Sequence, residues 1–102
     1  MTNRLEALLN LLSKSPKDSF IQYGIALEYV AKKDNVNAEK YFQALLESDP
    51  NYVPAYMQYA ILKSNLNEIE AAKQLFSKGI IKAREAGDKR AASEMEEFLD
   101  EL

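Results

Sequence analysis

Histidine and cysteine are both absent from this 102-residue chain. Their absence excludes disulfides, thiol nucleophiles, imidazole acid–base catalysis and ordinary zinc sites. Glycine and proline occur only three times each, too few for an all-β fold with its many turns. Cationic surplus is lacking too. Thirteen Lys and Arg stand against sixteen Asp and Glu, a net charge of −3, which argues against nucleic-acid and anionic-membrane partners. No apolar run is long enough to cross a bilayer. The N-terminal cluster of Leu5, Ala7, Leu8, Leu9, Leu11 and Leu12 is interrupted by polar residues and followed by no small-residue cleavage site, so it does not read as a signal peptide. The expectation is a cytoplasmic chain. Its 47% hydrophobic and 28% charged residues suit one small globular domain rather than a disordered segment.

What the sequence does contain is a period. The offset from Pro16 to Pro50 also relates Leu8 to Phe42 and Phe42 to Phe76. It relates Leu12, Leu46 and Ile80 as well, then Ala26 and Ala60, then Ala38 and Ala72. Five series at one offset make a repeat array, entered in mid-repeat at the N-terminus. Helical spacing fills the intervals: Leu5, Leu8, Leu9 and Leu12 follow the i, i+3, i+4, i+7 pattern of one buried face. The first helix is expected over Thr2–Lys14 with Thr2 as its cap, and the second over about Ser19–Lys32, capped by Asp18 or Ser19. A third covers roughly Val36–Ser48 and stops before Pro50. The fourth begins near Pro54, which suits a first turn, and runs to about Ser64. Asn67 with Glu70 has capping-box spacing for the fifth, which ends near Ala86 with Gly87 beyond it. Residues 88–101 make a sixth, with Ala91, Ala92, Met95, Phe98, Leu99 and Leu102 along one side.

A helix–turn–helix period of about 34 residues resembles the tetratricopeptide repeat. The second-helix signature of that family, Ala followed four residues later by Phe, stands twice, as Ala38 with Phe42 and Ala72 with Phe76. Asp49-Pro50 matches its closing Pro. On the first helices Tyr56 matches the large aromatic, Ile25-Ala26 and Tyr59-Ala60 match Leu-Gly, and Tyr29 matches Tyr. Gln22 departs at the large aromatic, where Phe20 or Tyr23 is expected to supply the packing instead. Lys63 replaces the second Tyr, and Arg84 replaces the second closing Pro, which lets helix five run on by about a turn.

The resemblance implies an all-α fold: about six helices in antiparallel helix–turn–helix repeats, stacked as a short right-handed solenoid. Residues 1–102 would form a single domain, with 1–16 a leading half-repeat, 17–50 and 51–86 two repeats, and 87–102 a capping helix. It also implies a binding function and no cofactor, since the family shares no chemistry.

Phe20, Tyr23 and Leu27 recur at i, i+3 and i+7, and Met57 and Ile61 follow one period after the last two. Gly24 and Gln58 lie in the same stripe. In the family these positions line the concave surface, where aromatic and Met residues serve as anchors. A terminal helix folded across them would make them ordinary core. The carboxylate clamp of chaperone-binding members is excluded, because Tyr23 and Leu27 stand where Lys and Asn are required, Gln58 where Asn is, and Asp88 and Ala92 where basic residues are. The acidic run Glu94, Glu96, Glu97, Asp100 and Glu101 reads as the solvated side of a cap. Lys82, Arg84, Lys89 and Arg90 have no interleaved aromatics to suggest nucleic-acid binding. Gly24, Gly79 and Gly87 are isolated, so no phosphate loop occurs, and Glu68 and Glu70 sit two apart on different sides of a helix. An enzyme is therefore not expected. The reading is an interaction module that binds a protein or peptide with an apolar segment on its concave face, with burial of that face in a homodimer as the alternative.

Overall fold

The computed structural model describes residues 3–102. Among them are six helices and no strand: α1 (Arg4–Lys14), α2 (Ser19–Ala31), α3 (Asn35–Ser48), α4 (Val53–Asn65), α5 (Ile69–Glu85) and α6 (Lys89–Asp100). The all-α helical-repeat expectation holds. The chain divides into two compact units, one through Pro50 and one over Asn51–Leu102. In the first, α2 packs against α1 and α3; in the second, α5 packs against α4 and α6.

Two kinds of joint alternate along the chain. After α1 and α3 the backbone leaves the helical region at the residue before a proline, Ser15 (φ −138°) before Pro16 and Asp49 (φ −141°) before Pro50. Proline disfavours the helical region for its predecessor, so each helix stops there. After α2 and α4 the turn is tighter and left-handed. Lys33 (φ 60°) and Asn67 (φ 62°) occupy the same register, one period apart. The Lys33 N–H donates to the Val30 carbonyl at 3.0 Å and the Asp34 N–H to the Tyr29 carbonyl at 2.9 Å. Asn67 and Glu68 repeat that pattern on Ser64 and Lys63, both at 2.9 Å. These paired bonds are the Schellman closure, which satisfies carbonyls that a helix end leaves without partners.

The capping-box expectation is therefore corrected. Asn67 is the left-handed residue that ends α4, and Glu68 is the N-cap of α5, with no side-chain cap bond. Asn is favoured both as an N-cap and in the left-handed region, and here the second preference prevails. Thr2, expected as the first cap, lies outside the described residues. Asn3 caps α1 instead, its Oδ1 accepting the Glu6 N–H at 2.8 Å. Asp18, Asp34 and Asp88 cap α2, α3 and α6 in the same way. Ser19 is free of that duty and donates its hydroxyl to Asp49 Oδ2 at 2.7 Å.

The third joint of the proline kind is missing. Arg84 stands where Pro would follow in register, and α5 continues to Glu85 as the longest helix, with 17 residues. It then closes by the left-handed route on Gly87 (φ 74°), as expected. Gly87 donates to the Arg84 carbonyl at 3.0 Å and Asp88 to that of Ala83 at 2.8 Å. Arg84 also pairs with Glu96, tying α5 to α6.

Small residues permit the helices to approach, and aromatics fill what remains. Ala26, Ala38, Ile25, Leu45 and Phe42 are fully buried in the first unit. Phe76, 1% exposed, stacks on Phe98 of α6 with ring centroids 5.4 Å apart, and Met95 is fully buried beside them. The expected burial of Phe42 and Phe76 is observed. Gln22 departs from its neighbours: it is 8% exposed, its Nε2 donates to the Pro16 carbonyl at 3.1 Å, and its Oε1 has no partner. Phe20 does not supply packing in its place, because it stands 72% exposed. A buried acceptor without a partner costs about 1–3 kcal/mol. Gln22→Met is thus expected to raise the unfolding free energy by about 1 kcal/mol in urea titration.

The left-handed turns give a second expectation. Lys33→Gly should add about 0.5–1 kcal/mol by relieving Cβ strain, and Gly87→Ala should remove about 1 kcal/mol, since Gly alone enters that region without strain. Paired urea denaturations check both signs.

Candidate functional site

The expected stripe sits on α2 and α4. On α2, neighbouring helices use other sides: Ile25 and Ala26 are fully buried, Tyr29 stacks on Tyr41 of α3 with centroids 5.6 Å apart, and Glu28 pairs with Arg4 of α1 at 3.2 Å. Phe20, Tyr23 and Leu27 fall together on the remaining side, Phe20 exposed and the other two half-buried. An aromatic ring held in water on a well-capped helix is an apolar contact left open. Burial, then the nearby Tyr29 phenol, raise the Tyr41 pKa above the usual tyrosine value.

Gly24 faces α1. A Cβ built there would lie 3.4 Å from Leu8 Cδ1, an ordinary contact. The N-terminal helix thus covers one margin of the stripe, at Gly24, and leaves Phe20 exposed.

On α4, Met57, Gln58 and Ile61 are half-buried. Ile61 lines a cavity of about 260 Å³ with Phe76, Phe98, Glu101 and Leu102. Its surroundings are therefore shared with the end of α6. A larger hollow between α4 and α5 is lined by Tyr59, Lys63, Leu75, Lys78 and Ile81 among others, and periodicity does not single it out. Its signal is a change of residue type at matching repeat positions, which helical spacing alone does not weigh.

The repeat signature matches a family model, tetratricopeptide repeat, over residues 29–93. The chain belongs to the tetratricopeptide repeat family. It is similar to a TPR repeat-containing protein of Pseudomonas aeruginosa, 26% identical over 98 residues that cover 96% of this chain and 93% of that protein. The solution structure of a tetratricopeptide repeat domain protein from Salinibacter ruber superposes with a TM-score of 0.81 at 30% identity, covering 84% of this chain and 87% of that one. A protein of Bordetella parapertussis, 21% identical, shares the fold with a TM-score of 0.85 over 99% of this chain and 88% of its own. Tetratricopeptide repeat domains are generally modules of protein–protein interaction rather than enzymes. No helix among the described residues is long and apolar enough to cross a membrane.

The two helical glycines separate packing from surface. Gly79 lies where α4, α5 and α6 converge: a Cβ there would stand 2.6 Å from Met95 Sδ and 2.7 Å from Tyr56 Cβ. Gly79→Ala should therefore cost ~1–3 kcal/mol by overpacking. Gly24→Ala meets only the Leu8 methyl and should gain roughly 0.5–1 kcal/mol from helix propensity. Thermal unfolding of the two variants checks the opposite signs.

Proposed function

We propose that this chain binds an apolar protein or peptide segment through the concave-face positions of its first-in-pair helices, with Phe20, Tyr23 and Leu27 on α2 and Met57, Gln58 and Ile61 on α4. The exposure of Phe20 carries the reading. A Phe ring gains little by standing in water, and burial against a partner would return its full apolar area. Half-buried Tyr23, Leu27, Met57 and Ile61 are partly packed already, which lessens the side-chain freedom left to lose on binding. Gly24 lies against Leu8 of α1 at the margin of the stripe.

Selection from a displayed peptide library should yield apolar segments that bind the full chain. Phe20→Ser should weaken the selected peptides by about 2 kcal/mol, roughly 30-fold, and Met57→Ser by a smaller factor. Phe20→Ser should shift the unfolding free energy by no more than about 0.5 kcal/mol, because the ring is exposed. Severe unfolding of Phe20→Ser would return the stripe to the core. Sedimentation equilibrium distinguishes self-association, in which the wild type is a dimer that Phe20→Ser dissociates.

A further inference from the structure

The two repeats differ most where they should match. In the first unit Tyr29 and Tyr41 stack across α2 and α3, filling the notch between them. One period later the same positions hold Lys63 and Leu75. Neither of these two positions carries a ring, and a groove of about 630 Å³, lined also by Tyr59, opens between α4 and α5. Most of the charge changes around it favour the cation, although Lys40 gives way to Gln74. Glu39 becomes Lys73, Ala44 becomes Lys78 and Glu47 becomes Ile81.

The result is an apolar floor with a cationic rim. Leu75 and Ile81 line it, the latter 55% exposed, and Lys63, Lys73 and Lys78 stand around them. Among the described residues no carboxylate lines the groove. Lys63 is held in place, its Nζ 5.7 Å from the Tyr59 ring centroid and 3.3 Å from Glu68 Oε1. Lys73 makes a long 3.9 Å contact to Glu70. Lys78 has no ion-pair partner among the described residues. Lys63 and Lys73 are thus each offset by a glutamate, and Lys78, exposed beside Ile81, supplies the unbalanced positive charge of the groove in a chain of net charge −3.

We propose that this groove is a second docking surface, separate from the α2 and α4 stripe positions, and that its occupant is an acidic amphipathic helix of a partner protein. The apolar floor requires a Leu- or Phe-bearing face, and the lysine rim requires Asp or Glu flanking it. From Ala71 to Ile81 the α5 side of the groove extends about 15 Å, the length of roughly three helical turns.

A fluorescein-labelled helical peptide of about three turns, with Leu on one face and Glu on both flanks, tests this on the full chain. Its charge-reversed counterpart, Lys for Glu, is the control. The acidic peptide should bind saturably, and its affinity should fall as salt rises from about 50 to about 200 mM. The double variant Lys78→Glu, Ile81→Asp should weaken it at least tenfold, with far-UV circular dichroism unchanged because both side chains are exposed. Phe20→Ser should leave it unaltered, so failure of this surface and of the proposed stripe are read separately. The proposal is overturned if the two peptides bind alike, if the double variant binds as the wild type, or if only Phe20→Ser abolishes binding. Equal binding of a single-stranded oligonucleotide would overturn it too, by making the groove a general polyanion site.

Discussion

Closing a helix while leaving no carbonyl without a partner is the constraint on which the rest of this structure depends. A chain of helices joined by turns of a few residues has little backbone to spare. Each turn must release one helix, cap the next and reverse direction. The Schellman closures meet this with one residue in two roles: Asp34 and Asp88 donate their N–H groups to the helix before and cap the helix after with their side chains. The proline joints solve the same problem by forbidding continuation. Once the joints are set, Ala26, Ala38, Ala60, Ala72 and Gly79 determine how near the helices come, and Phe42 and Phe76 occupy what is left.

Most of this was legible in the sequence because it is periodic. The constant offset located six helices and both buried phenylalanines, and Gly87 announced its own turn. Asn67 misled for a physical reason: a short polar side chain serves equally as an N-cap and in the left-handed region. The decisive comparison was Lys33, a residue with no preference for that region that occupies the same register. Gln22 illustrates the opposite limit. Its place in the pattern was clear, but burial of an amide where the second repeat has Tyr56 depends on Pro16 offering a carbonyl, and no spacing rule encodes that.

The surface was less legible than the core. Periodicity assigns a residue to a side of its helix without saying what covers that side. Phe20 and Leu27 share a stripe, yet only Phe20 is exposed; Gly24 shares it and is covered by Leu8. The groove beside α5 escaped for a different reason. Core positions are recognised by sameness between repeats, whereas the groove arises from difference, where Tyr29 and Tyr41 give way to Lys63 and Leu75.

Arg84 has a consequence for how such a protein could grow. Losing proline there lets α5 continue and turn on Gly87, so α6 presents Ala92, Met95 and Leu99 inward and Arg90, Glu94, Glu97 and Glu101 outward. That outward side sets charged side chains around the 40% exposed ring of Phe98, a poor seat for a further repeat. Recombination that stacks another repeat on α6 would therefore have to exchange those charges for apolar side chains.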